Sequence, residues 1–433
     1  MVLRKQSYQN DELMSTFDLS VLFFLQMAFI LGVCRVVGIL FSKMGQSQVV
    51  SEMIAGVVMG PSLMGWLLPA WSAYVFPLES KPILFALSQL GLVLYMFLIG
   101  VEFDLGLIKS RWRSAASVSS AGIVAPFALG ATLAWFLVGD ASLFPLKTTA
   151  AQAMLFMGAA MSITAFPMLA RIIFEQGLSK TSLGTLALAA GSIDDAVAWC
   201  VLAVVLASFQ GNPAIALYAI GGGVLFGLVT LLVIRRLLVP LGQQVATAGE
   251  MGQGMLIFVL MLVMIGAWFT DYIQIYAVFG AFIMGIAMPR GKFAAELHRI
   301  IYPLTTAFLL PVFFVYSGLN TKIGLVNTPY LWLLTAVVLL AATLGKGVAC
   351  YGAARWHGER HREALAVGTL MNARGLMELI ILNIGLQRGI IAPALFAIMV
   401  MLALITTLIA TPIFERVYGS KASRAARDEA LFL

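Results

Sequence analysis

Asp194 and Asp195 stand side by side in "AAGSIDDAVAWCVLAVVLA", residues 189–207, a stretch otherwise apolar enough for a lipid bilayer. Ionised carboxylates at membrane depth are expensive, and those that occur there mark ion pathways and proton relays. A carboxylate that is protonated when empty and ionised beside a cation exchanges one for the other by competition. Successive helical residues point about 100° apart, so the two acids do not face one ligand equally. One can ligate a cation while the other meets a neighbouring helix.

Other polar residues interrupt apolar runs in the same manner. Lys346, in "AATLGKGVACYGAA", is flanked by Gly345 and Gly347, which give it room to reach across a close helix contact. A buried lysine needs a partner, and either aspartate could serve. Ser162 and Thr164 precede Pro167 in "MGAAMSITAFPMLARII" and could offer oxygens to a dehydrated alkali cation or cap freed backbone. Asn372, Arg374 and Glu378 form a polar face in "VGTLMNARGLMELIILNIG", with Arg374 and Glu378 at the i,i+4 spacing that lets them pair. Glu102 and Asp104 fall at the end of a run, Glu52 near the start of one, and His298, His357 and His361 in loops. No zinc spacing, P-loop, dinucleotide fingerprint or nucleophile elbow occurs, so no cofactor is implied.

The elements that must position these groups follow from composition. Of 433 residues, 61% are hydrophobic and 11% charged, against about 25% charged in soluble domains. Long apolar runs recur from end to end without period-two alternation, which predicts an all-α polytopic membrane protein and excludes a β-barrel. Charged and Gly/Pro-rich joints delimit thirteen candidate transmembrane helices, near 18–41, 47–65, 83–100, 114–138, 150–174, 182–208, 213–237, 252–270, 274–288, 301–319, 328–354, 364–386 and 391–414. Lys and Arg concentrate in the loops on the C-terminal side, which places the C-terminus in the cytoplasm and the N-terminus outside. The net charge of +7 therefore belongs to membrane topology and is no sign of a nucleic-acid partner. Cys34, Cys200 and Cys350 lie inside apolar runs and read as packing residues. Pro167 and the Asn372–Glu378 segment predict two broken helices, the fifth of the first six spans and the fifth of the last six. Such a pattern points to a midplane site between two six-helix inverted repeats.

"MSITAFPMLARI", "GSIDDAVAWCVLA", "MFLIGVEFD", "GVVMGPSLMGW" and "NARGLMELIILNIG" together resemble the second monovalent cation:proton antiporter family. That is the sodium/hydrogen exchanger domain of bacterial sodium/proton antiporters, Kef-type systems and plant cation/proton exchangers. The resemblance spans residues 18–415, between a polar N-terminus at 1–17 and a short tail at 416–433. It implies a homodimer with a scaffold (about 18–101 and 252–319) and a core (about 114–208 and 328–414) that moves as an elevator. It also implies two broken helices that cross beside the aspartate helix. Asp195 matches the family's ion-binding carboxylate, Asp194 the acid before it, Lys346 the lysine paired with that acid, and Ser162 and Thr164 the break near the ion. The expected function is electrogenic exchange of protons for Na⁺, with K⁺ or Li⁺ as alternatives, in a bacterial inner (plasma) membrane. The lack of a nucleotide-binding domain argues against glutathione-gated efflux. Two other classes are weighed against exchange. A gated channel would move cation without coupled protons, and an intramembrane aspartyl protease would need two carboxylates converging from separate helices.

Overall fold

A computed structural model describes residues 15–42, 48–103, 105–179, 181–210, 213–273, 275–320, 323–374 and 376–431. All regular structure among them is helical. The helices are α1 (Thr16–Ser42), α2 (Gln48–Met59), α3 (Met64–Leu67), α4 (Pro69–Val75), α5 (Lys81–Glu102), α6 (Leu105–Leu137) and α7 (Ala150–Ser162). There follow α8 (Phe166–Glu175), α9 (Ser182–Gln210), α10 (Pro213–Val229), α11 (Arg235–Ala248), α12 (Gln253–Tyr272) and α13 (Ala277–Ala287). The chain ends with α14 (Lys292–Leu304), α15 (Leu310–Leu319), α16 (Pro329–Trp356), α17 (His361–Leu370), α18 (Leu376–Gln387) and α19 (Pro393–Leu431). Among the described residues, eight helical stretches are long and apolar enough to cross a membrane, and the chain is an integral membrane protein. In hydrocarbon every backbone polar group must find its partner within the protein, which helices achieve along their whole length.

Local chemistry sets the helix ends. Thr149 begins α7 with a reciprocal capping box to Gln152, and Thr328 caps α16 ahead of Pro329. Gly249 and Gly358 follow α11 and α16 with positive φ, as a helix exit requires. A π-helical turn at Thr305–Leu309 joins α14 to α15 one residue ahead of Pro311, whose missing N–H loosens the ladder.

Packing separates the helices into two groups. α6, α7, α9, α16, α17 and α19 pack on one another and bury the aspartate helix. A second group joins α1 and α2 to α15, and α5 to α12–α15. Close approach within this second group depends on glycine. A Cβ on Gly100 would collide with the Phe282 carbonyl on α13, and one on Gly318 with the backbone of Gly56 on α2. The expected interruptions are visible in both polar spans. The first run is non-helical at residues 163–165, and Pro167 sits just inside α8, where its absent N–H is unneeded. The second is non-helical across residues 371–374; Gly375 lies outside the described residues.

His298 departs from expectation. It is on helix α14 rather than in a loop, its imidazole 2.9 Å from Glu102 at the end of α5 and stacked on Tyr302. Phe293, Leu297 and Ile301 are the buried face of α14, so this polar segment is an amphipathic helix. Asp104, at the end of the same apolar run as Glu102, lies outside the described residues.

Candidate functional site

Asp194 lies midway along α9 with its side chain enclosed by three other elements. Ser119 on α6 donates to Oδ1 (2.7 Å), Thr164 in the first break donates to Oδ2 (2.5 Å), and Lys346 Nζ on α16 lies 3.0 Å from Oδ2. Asp194 and Lys346 side chains are both wholly buried. Lys346 has three N–H donors, and each has an acceptor: Asp194, the Gly122 carbonyl at 3.0 Å, and the Ser162 carbonyl. A buried ion pair of this kind persists only when its remaining donors and acceptors are also met, and here they are. Asp195, one position on, is also buried at 5% exposure. The three Lys346 donors are directed elsewhere, so that lysine belongs to Asp194 and not to Asp195.

The first break is closed by charge. The last four carbonyls of a helix lack intrahelical donors, and those of α7 end inside the protein. Ser162 Oγ donates to Ala159 (2.9 Å), Arg374 donates to Ala160 (3.2 Å) and Met161 (2.6 Å), and Lys346 donates to Ser162. Two cations thus stand at the negative end of the α7 dipole. The Ser162 hydroxyl is engaged within its own helix, so it is the Ser162 carbonyl, through Lys346, that connects to Asp194.

The second break lies against the first. The Ala165 N–H donates to the Ala373 carbonyl (3.1 Å), a main-chain bond between the two interruptions. Thr407 on α19 accepts from the Arg374 N–H (3.2 Å) and donates to its carbonyl (2.5 Å). Asn372 donates to the carbonyls of Thr343 and Gly368, both at 3.1 Å. Arg374 and Glu378 form the anticipated i,i+4 pair at 3.5 Å, both buried. Glu378 sits in the first turn of α18, where the helix dipole favours a negative charge.

The structure therefore gathers Asp194, Thr164, Lys346 and the Ser162 carbonyl into one cluster, with Asn372 and Arg374 in the adjoining break and Glu378 in the first turn of α18. Sequence reasoning missed Ser119, whose hydroxyl in "SAASVSSAG" reads as small-residue packing, and Thr407 in "LITTLIATP". It also missed the carbonyl acceptors, which carry no side-chain signal.

Comparison with known proteins gives the family. The family described as "Sodium/hydrogen exchanger, transmembrane" matches residues 27–418. The chain belongs to that family. It is 40% identical over 395 residues to the Na(+)/H(+) antiporter NhaS4 of Synechocystis, covering 91% of this chain and 96% of the relative. It is 35% identical to Cation/H(+) antiporter 18 of Arabidopsis thaliana, covering 94% and 50%, and 32% identical to K(+)/H(+) antiporter 1 of Saccharomyces cerevisiae, covering 92% and 46%. The chain thus spans about half the length of these plant and yeast relatives. In fold it resembles the sodium proton antiporter MjNhaP1 of Methanocaldococcus jannaschii, with a TM-score of 0.67 at 16% identity over 95% of this chain and 98% of the other. The family is one of membrane exchangers rather than enzymes, which removes the protease reading.

Proposed function

We propose that this sodium/hydrogen exchanger family member is a secondary active antiporter that exchanges protons for a monovalent cation at Asp195. The observation that carries the proposal is the closed Asp194–Lys346 pair, 3.0 Å apart beside two crossing helix breaks, with Asp195 buried next to it. Asp194 already has a cation of its own. Asp195, buried beside that pair, takes either a proton or an external cation, and competition for one carboxylate couples the two fluxes.

Na⁺ is the favoured substrate, in keeping with the Asp-Asp pair and the name of the Synechocystis relative. The yeast relative's name supports K⁺ as the second reading. Twelve of the thirteen spans fall into two inverted six-helix repeats joined by the seventh, and α6–α9 with α16–α19 form a core that slides against a scaffold of α1–α5 and α12–α15. The C-terminus is cytoplasmic, the N-terminus is outside, and two copies meet through their scaffolds. Ser162 and Thr164 hold the first break in place around the ion site, and Asn372, Arg374 and Glu378 brace it from the second. If the Asp194–Lys346 pair releases a proton during the cycle, exchange is electrogenic and responds to an imposed potential. A flat response would indicate one-for-one exchange.

Everted membrane vesicles with a ΔpH-sensitive dye test the central assignment. Asp195→Asn is expected to abolish dequenching by Na⁺, K⁺ and Li⁺, and retained exchange overturns the assignment. Cation flux with no accompanying proton movement in the parent protein would make it a channel instead.

A further inference from the structure

On its other side the second break borders a crevice of about 220 Å³ between α16, α17 and α19. Leu344, Val348, Ile409 and Ile413 line it and are exposed on the outside of these membrane helices. Asn372 and Thr343 also line it. Asn372 Oδ1 and Thr343 Oγ1 are both buried, and neither has a hydrogen-bond partner among the described residues. The Asn372 amide nitrogen is held by two carbonyls, so its oxygen is the group's unused acceptor. The remaining hydroxyls of the lining are already bonded: Thr369 to Leu365, Thr406 to Leu402, and Tyr351 to His361.

An unmet buried polar atom costs about 1–3 kcal/mol, and each one calls for a partner. A lipid acyl chain fills the volume but donates nothing. An ion finds no charge among the lining residues to offset its desolvation. The volume equals that of about seven liquid waters, room for one ring with a short substituent. We infer that the crevice is a binding site for a small neutral amphiphile whose apolar body enters from the bilayer and whose hydroxyl group, with a local shift of the crevice wall, meets the buried Asn372 Oδ1 and Thr343 hydroxyl. Thr343 lies one turn before Lys346 on α16, and Asn372 belongs to the second break. The occupant therefore touches α16, which carries the Asp194 partner Lys346, and the second break, without competing for the ion.

The test uses purified protein in detergent micelles with 4-fluorobenzyl alcohol as probe, followed by fluorine NMR. The parent protein is expected to show a saturable bound component above micellar partitioning. Ala410→Trp, which fills the crevice, should remove it. Thr343→Val should weaken it about fivefold, the loss of one neutral hydrogen bond, and 4-fluorotoluene, lacking the hydroxyl, should bind the parent protein about fivefold more weakly for the same reason. Absence of a saturable component in the parent protein overturns the inference, as does undiminished binding in Ala410→Trp that elutes as a single species. If Ala410→Trp does not fold, Thr343→Val decides, and unchanged affinity there overturns the inference. Equal affinity for 4-fluorotoluene overturns it too.

Discussion

The ends of α7 and α17 occupy equivalent positions in the two broken spans and are closed in opposite ways. At α7 two cations from distant parts of the chain, Lys346 on α16 and Arg374 in the second break, reach in to satisfy the terminal carbonyls. At α17 the chain closes on itself: the N–H groups of Met371, Asn372 and Ala373 return to Val367, Thr369 and Leu370, and the Asn372 side chain takes Gly368. One break is therefore held by charge drawn from two other elements, and the other by local neutral bonds with Thr407 as a clamp. The charged end is the one that adjoins Asp194. A polar interruption in an apolar span thus has no single meaning, because the partners of its free carbonyls decide whether it belongs to the ion site or braces it.

That contrast can be broken at its strongest point first. Lys346→Ala strands the Asp194 carboxylate together with the carbonyls of Gly122 and Ser162. Removing one member of a buried pair costs about 3–5 kcal/mol, which should appear as a large drop in the thermal midpoint of detergent-purified protein. The doubly neutral Asp194→Asn/Lys346→Gln should regain most of that loss, and a double variant as unstable as Lys346→Ala would contradict the pairing. Arg374→Met should come next at about 3 kcal/mol, since it leaves two α7 carbonyls and Glu378 unmatched.

Smaller changes sharpen the comparison. Thr164→Val removes one charge-assisted bond to Asp194, worth about 1.5–3 kcal/mol, and should shift the cation concentration for half-maximal exchange as well as stability. Asn372→Ala acts at the neutral end. It should cost about 1 kcal/mol of stability and leave the cation dependence unchanged. If the two variants alter cation dependence equally, the division of roles between the breaks is wrong.

Much of this arrangement was legible in the sequence, and for identifiable reasons. Two acids, a lysine and a proline inside apolar runs are costly enough to announce themselves, and Arg374–Glu378 carried the helical pair spacing. The assignment of Lys346 to Asp194 rather than Asp195 came from family resemblance, because spacing along one helix does not tell which carboxylate a distant helix meets. Ser119 was hidden because a serine among small residues is ordinary at helix contacts. The closure of α7 was illegible in principle, since three of its four acceptors meet side chains from elsewhere in the chain. His298 was misplaced because the length of an apolar run defined the spans, and the amphipathic α14 lies ahead of that run.

The central claim separates two adjacent acids: Asp194 is tied to Lys346, and Asp195 trades its proton for a cation. Proton release on adding Na⁺ or K⁺ to purified protein in weakly buffered detergent tests it most directly. The account predicts cation-induced release in the parent protein, its loss in Asp195→Asn, and its persistence in the Asp194→Asn/Lys346→Gln double variant. Release from Asp195→Asn equal to that of the parent protein would contradict it.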